Sequence, residues 1–261
     1  MIEQMLYIFK SFFTDITYQG IVLALAFGAI WIAAFWLPLF KKPWMWAILI
    51  SSAFLTLVSI AFIQTPLQVW SGRLLNYYLS GNTSELWLLL SKVPGVLIIG
   101  LVQEGSKMVP VVIYWWRKGR NIDPKSGLMI GAIAGVGYGI FEAQIVLNSI
   151  FSSGWSWDSV IVNGIMALSP FWEKFFTVGF HTAISAFTGY GLASKRGWQF
   201  YLIASAIHAY LNSSAILAQA WQSSFFRVEI FIAVVSLAIV GWALWMRWWK
   251  KPTKGEESAA G

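Results

Sequence analysis

The chain has 261 residues, 58% of them apolar and only 11% charged, whereas a soluble domain carries about 25% charged residues and under half apolar ones, so a soluble globular protein is excluded. The formal charge of +7 lies in short loops between apolar runs, which argues against nucleic acid as a partner. With no cysteine in the chain, disulfides, iron–sulfur clusters, thiol catalysis and cysteine-type zinc sites are excluded as well.

Runs of the length needed to cross a bilayer as a helix recur along the sequence, so the expected fold is all-α, a polytopic membrane bundle forming one integral membrane domain over 1–261. The opening stretch, MIEQMLYIFKSFFTDITYQ, lacks the basic end, apolar core and small-residue cleavage site of a signal peptide, and reads as a short interfacial helix over about 1–18. Seven apolar runs follow, at about 19–40, 43–64, 88–116, 127–150, 173–194, 198–221 and 227–249. Residues 65–87 are too polar to span and read as a surface loop or interfacial helix; 151–172 are ambiguous and would add a re-entrant piece. The tail from about 252 reads as disordered.

Basic residues fall on alternate loops. Lys41, Lys42, Arg117, Lys118, Arg120, Lys125, Lys195, Arg196, Arg247, Lys250, Lys251 and Lys254 lie on one side, against Lys10, Arg73 and Arg227 on the other. By the positive-inside rule the N-terminus is expected outside and the C-terminus in the cytoplasm.

An acid or base at mid-bilayer costs roughly 2.5–3.5 kcal/mol on insertion scales, which makes each one a site candidate facing the bundle interior. Runs three to six concentrate them, so residues 88–221 are expected to form a four-helix site core. The third run carries Gln103, Glu104 and Lys107 in LVQEGSKMVP, with Glu104 and Lys107 neighbours on one helix face. The fourth carries Gly127, Gly131, Gly135 and Gly139, a bare stripe suited to close helix packing. Tyr138 and Glu142 follow, and no basic residue lies within a turn of Glu142. Such a lone carboxylate needs a partner from another helix, a metal or a proton. Glu173 and Lys174 open the fifth run, which then presents His181; the sixth presents His208 with Asn212 one turn on. These are the only two histidines, and both lie within apolar runs.

Two imidazoles and one or two carboxylates permit two hydrolytic schemes. In one, Glu142, His181 and His208 hold a divalent metal such as zinc, which acidifies a water for attack on a carbonyl. In the other, without metal, a glutamate and a histidine activate the water while the second histidine and Asn212 donate hydrogen bonds to the oxyanion. Glu104 is a second acid or ligand in either scheme. Neither GxSxG nor HExxH occurs, so the common serine and zincin solutions are absent.

The order of E-x-x-K (Glu104, Lys107), an aromatic four residues before a glutamate (Tyr138, Glu142), a histidine in the next run (His181) and H-x-x-x-N (His208, Asn212) resembles the PrsW/YhfC group of intramembrane proteases, within the wider CAAX-protease and bacteriocin-processing superfamily. The resemblance runs over about residues 95 to 215, and Glu173–Lys174 also matches an acidic–basic pair of YhfC-like members. It implies an intramembrane endopeptidase in the cell membrane, cutting a membrane protein or membrane-tethered peptide with the lipid bilayer around it. One departure stands out: Gln103 replaces the first glutamate of the family's E-E pair and cannot act as a base or charged ligand. A catalytically inactive relative acting as a membrane scaffold therefore stays open, as does a proton-coupled transporter or ion-binding membrane protein, since proton relays use the same residue types.

Overall fold

A computed structural model describes residues 2–79, 84–220 and 225–249, and among these every regular element is a helix. The tail expected to be disordered lies outside the described residues. The first two helices, α1 (Ile2–Thr14) and α2 (Tyr18–Ala34), meet at an 88° bend. Thr17 sets the corner: its hydroxyl caps the Gly20 N–H, and its backbone N–H and hydroxyl both donate to Asn148 Oδ1, at 3.2 and 3.0 Å.

The second apolar run continues further than its composition suggests. Helix α3 (Trp44–Ser59) passes through one π turn (Ile60–Gln64) into α4 (Thr65–Leu79). Residues 65–79, expected as a loop or interfacial helix, thus extend the helix before them into a 35-residue stretch, Trp44–Tyr78. At 1.5 Å per residue it reaches about 52 Å, well beyond a hydrocarbon core of about 30 Å. Pro66 explains the π turn. Its ring removes a backbone donor, and the wider turn lets the Thr65 N–H and hydroxyl both bond Ile60 O just ahead of it.

After a short α5 (Glu85–Leu90) come α6 (Val93–Arg117) and α7 (Pro124–Ser152). The ambiguous segment folds as one short helix, α8 (Trp157–Asn163), and a 3₁₀ turn (Gly164–Leu168). Then follow α9 (Ser169–Ala193), α10 (Gly197–Ala220) and α11 (Phe225–Trp248). Among the described residues, four stretches are long and apolar enough to cross a membrane: Trp44–Tyr78, Val93–Arg117, Pro124–Ser152 and Arg227–Trp248. The bent pair α1–α2 makes a fifth if it crosses as one unit.

Helix α7 is the axis of the bundle, and glycine makes it so. A Cβ at Gly131 would fall 2.1 Å from Ser185 O, and one at Gly135 the same distance from His181 O. The stripe therefore lies directly on the α9 backbone, as small-residue packing predicts. On the opposite side Gly137 lies against α3, where a Cβ would come 2.3 Å from Leu49 O. Gly100 does the same for α6 against α10, with Ser205 O at 2.2 Å. These approaches fix how each helix is rotated, and so which side chains point into the middle.

Candidate functional site

Four helices deliver one connected set of polar side chains. On α6, Lys107 Nζ donates to Glu104 Oε1 at 2.5 Å, the neighbour pair expected from their spacing. Lys107 Nζ also lies 2.9 Å from His181 Nδ1 on α9. From α7, Glu142 Oε2 meets His181 Nε2 in a short contact. On α10, His208 Nδ1 lies 2.6 Å from Glu104 Oε1. The two imidazole rings sit 5.1 Å apart. The chain of contacts runs Glu142–His181–Lys107–Glu104–His208, and every member except Glu142 is almost fully buried.

Elementary valence fixes the protons along it. An ammonium only donates, so His181 Nδ1 accepts from Lys107 and Nε2 carries the proton that faces Glu142. A carboxylate only accepts, so His208 Nδ1 donates to Glu104, and in the neutral ring Nε2 is a bare lone pair. Each imidazole is thus oriented by a carboxylate, an arrangement that sets tautomer and raises basicity.

The other expected residues surround this chain. Gln103 Nε2 donates to Glu142 Oε1 at 3.2 Å and to Gln64 Oε1 at 3.1 Å. A glutamate in its place would set two carboxylates face to face; the amide instead holds Glu142 from behind. Tyr138 is fully buried, with its ring 5.1 Å from Lys107 Nζ and its hydroxyl 3.4 Å from Ser59 Oγ. Asn212 Nδ2 donates to His208 O at 3.1 Å, which occupies one of its two amide protons. Glu173 and Lys174 pair with each other at 2.7 Å. Asn212, Glu173 and Lys174 join Glu142, His181 and His208 around a cavity of about 190 Å³.

Besides Ser59, two further polar side chains reach the site from outside the four central helices. Gln64 arrives from the π turn between α3 and α4, and Glu229 lines the same cavity from α11. The signal for Gln64 was a glutamine directly before Thr-Pro at the end of an apolar run. For Glu229 it was a lone acid two residues after Arg227, easily assigned to that arginine. Among the described residues Glu229 forms no ion pair with Arg227, and its Oε2 is buried without a hydrogen-bond partner.

The donor set suits a divalent cation. Glu104, His181 and His208 each offer one ligand atom, and these lie within 4.8 Å of one another. Among the described residues Glu104 Oε2 is buried without a partner, as a carboxylate oxygen suited to a cation would be. With neutral imidazoles the chain carries two carboxylates and one ammonium, so one negative charge is left over. The converging group contains Glu104, whereas the sequence pointed to Glu142 beside the two histidines; here Glu142 lies on the far ring nitrogen of His181.

Fold and site together define a polytopic helical membrane protein with a buried carboxylate–imidazole centre. A family model described as PrsW family intramembrane metalloprotease matches residues 41–243, and the chain belongs to that family. The match brackets the motif-bearing stretch on both sides and includes all residues of the contact chain. It also places the protein in the membrane as a multi-pass component and makes it, at the level of the family, a protease. No curated protein and no solved structure matches the chain.

Proposed function

We propose that the protein is an active intramembrane endopeptidase that hydrolyses peptide bonds of membrane-embedded or membrane-tethered proteins. It crosses the bilayer seven times with the N-terminus outside, and Glu142, His181, His208, Glu104 and Asn212 carry the chemistry. The observation behind this reading is the contact chain from Glu142 to His208, built by four helices and opening on a cavity that has room for roughly six waters at about 30 Å³ each.

Exposure separates the two glutamates. The Glu142 side chain is 23% exposed and lines the cavity, whereas Glu104 is at 0%. Water reaches Glu142, which takes its proton as the general base; Glu104 stays behind the rings, fixing His208 and paired with Lys107. A divalent metal bound at Glu104, His181 and His208 would acidify the water and polarise the scissile carbonyl. His208 favours that version over the metal-free one, because its neutral ring presents no proton for an oxyanion, only a lone pair; His181 would ligate on giving up the Lys107 hydrogen bond at Nδ1. Asn212 keeps its second amide proton for that oxyanion. Gln103 does not stand in the way, since it positions Glu142 rather than replacing it.

The test is purified protein in lipid nanodiscs, presented with a library of single-span proteins, with bound metal counted in parallel. Cleavage by wild type that disappears in a Glu142→Gln/His181→Ala double variant is the expected result. Equal cleavage by both would overturn the reading.

A further inference from the structure

Beside the site lies a second cavity of about 620 Å³, walled by Phe27, Ile165, Met166, Phe171, Trp172 and Phe175. Apart from Ser169, its one polar lining residue among the described residues is Glu229, and Glu229 also lines the cavity holding Glu142 and the histidines. The two spaces therefore share a wall residue, and that residue is a carboxylate. Its volume matches a site for several side chains. The 3₁₀ turn forms an open lip, with Ile165 75% exposed, while the rear is closely packed. There Trp31 packs against Gly179, and its indole N–H donates to Phe175 O at 2.9 Å.

Glu229 is the feature that an apolar lining does not explain. It is 2% exposed, and among the described residues its Oε2 is buried without a hydrogen-bond partner. The nearby Lys174 is taken by Glu173. A lipid tail filling this space would leave a buried carboxylate facing hydrocarbon, among the more costly arrangements in a membrane. Apolar walls with one acid that has no ion-pair partner among the described residues, set on the wall shared with the smaller cavity, describe the complement of an apolar segment that ends in a basic side chain.

We propose that this cavity docks the substrate, taking apolar side chains of its membrane segment, and that Glu229 is a specificity-determining residue pairing with a lysine or arginine next to them. The proposal rests on the peptidase reading for the word substrate, but not for the docking itself. Bound this way, the segment beyond the basic residue enters the smaller cavity, where Glu142 and Asn212 line the walls.

Docking is tested without relying on cleavage. A photo-crosslinking benzoyl-phenylalanine placed at Ile165 in full-length protein in nanodiscs would be offered single-span leucine–alanine peptides that differ only at the residue after the apolar stretch: Lys, Gln or Glu. Wild type is expected to capture the Lys peptide about tenfold or more over the Glu peptide, and Glu229→Gln to lose that preference. Equal capture of all three peptides, no capture of any, or a Lys preference that survives Glu229→Gln would each overturn the proposal. Should Glu229→Gln not accumulate, the comparison of peptides on wild type decides alone. Cleavage scored in the same samples keeps the two readings apart. A Lys preference without cleavage removes the peptidase and leaves the docking site; cleavage without preference does the reverse.

Discussion

At the scale of single residues, the site is a matter of who donates to whom. Glu142→Gln keeps a side-chain oxygen for the His181 N–H but removes the base, so cleavage of a reporter should fall by about 10²–10⁴. The melting temperature should hold, and a matching loss of thermal stability would instead mark Glu142 as structural. Lys107→Met acts the other way. It takes the ammonium from a fully buried carboxylate and should cost about 3–5 kcal/mol in denaturation. Adding Glu104→Gln should recover part of that loss. Because Lys107 also binds His181 Nδ1, its removal frees that lone pair, and zinc bound per protein should rise; unchanged zinc would show that the ammonium and metal do not compete. The sequence singled out Glu104, Lys107, Glu142, His181 and His208 because ionisable groups in apolar runs are costly. It did not single out Gln64 or Glu229, since both sit near the ends of their runs, where a polar residue is cheap and its signal weak.

At the scale of elements, glycine decides helix rotation. Gly135→Ala would drive a methyl into the His181 carbonyl and should cost about 1–3 kcal/mol or more. It should also depress activity beyond its effect on stability, because separating α7 from α9 pulls Glu142 from His181. Gly72→Ala on α4 has nothing within 4 Å and should be neutral or stabilise by about 0.5–1 kcal/mol. Thermal melts of the pair, with cleavage measured on each, check both; similar behaviour would mean that the stripe does not set the spacing. The stripe itself was legible from its four-residue spacing, but its partner was not. Nothing in GLMIGAIAGVGYG says that α9 lies on it and α3 on the opposite side. The π turn was likewise hidden, because it depends on how Thr65 and Pro66 are accommodated in a helix whose far end looks polar.

At the scale of the whole molecule, a chain without cysteine offers a clean background for mapping topology. Seven crossings with the N-terminus outside predict that Ser153→Cys is labelled from outside, and that Lys118→Cys and Arg196→Cys are labelled only after the membrane is opened. All three positions are exposed in the fold. Labelling of Ser153→Cys and Arg196→Cys from the same side would require fewer crossings. What the sequence determined by itself was the class of protein and the residue types at stake. A bilayer leaves backbone polar groups no partner but the helix, and makes each embedded charge costly enough to stand out. Only the tertiary structure decided the pairing: Glu104 with His208, Glu142 with His181, Lys107 between them, and Glu229 on the wall shared by two cavities. Those contacts join residues up to about a hundred positions apart, and they follow from the rotation of each helix about its axis, set by glycine-to-backbone approaches that no single run contains.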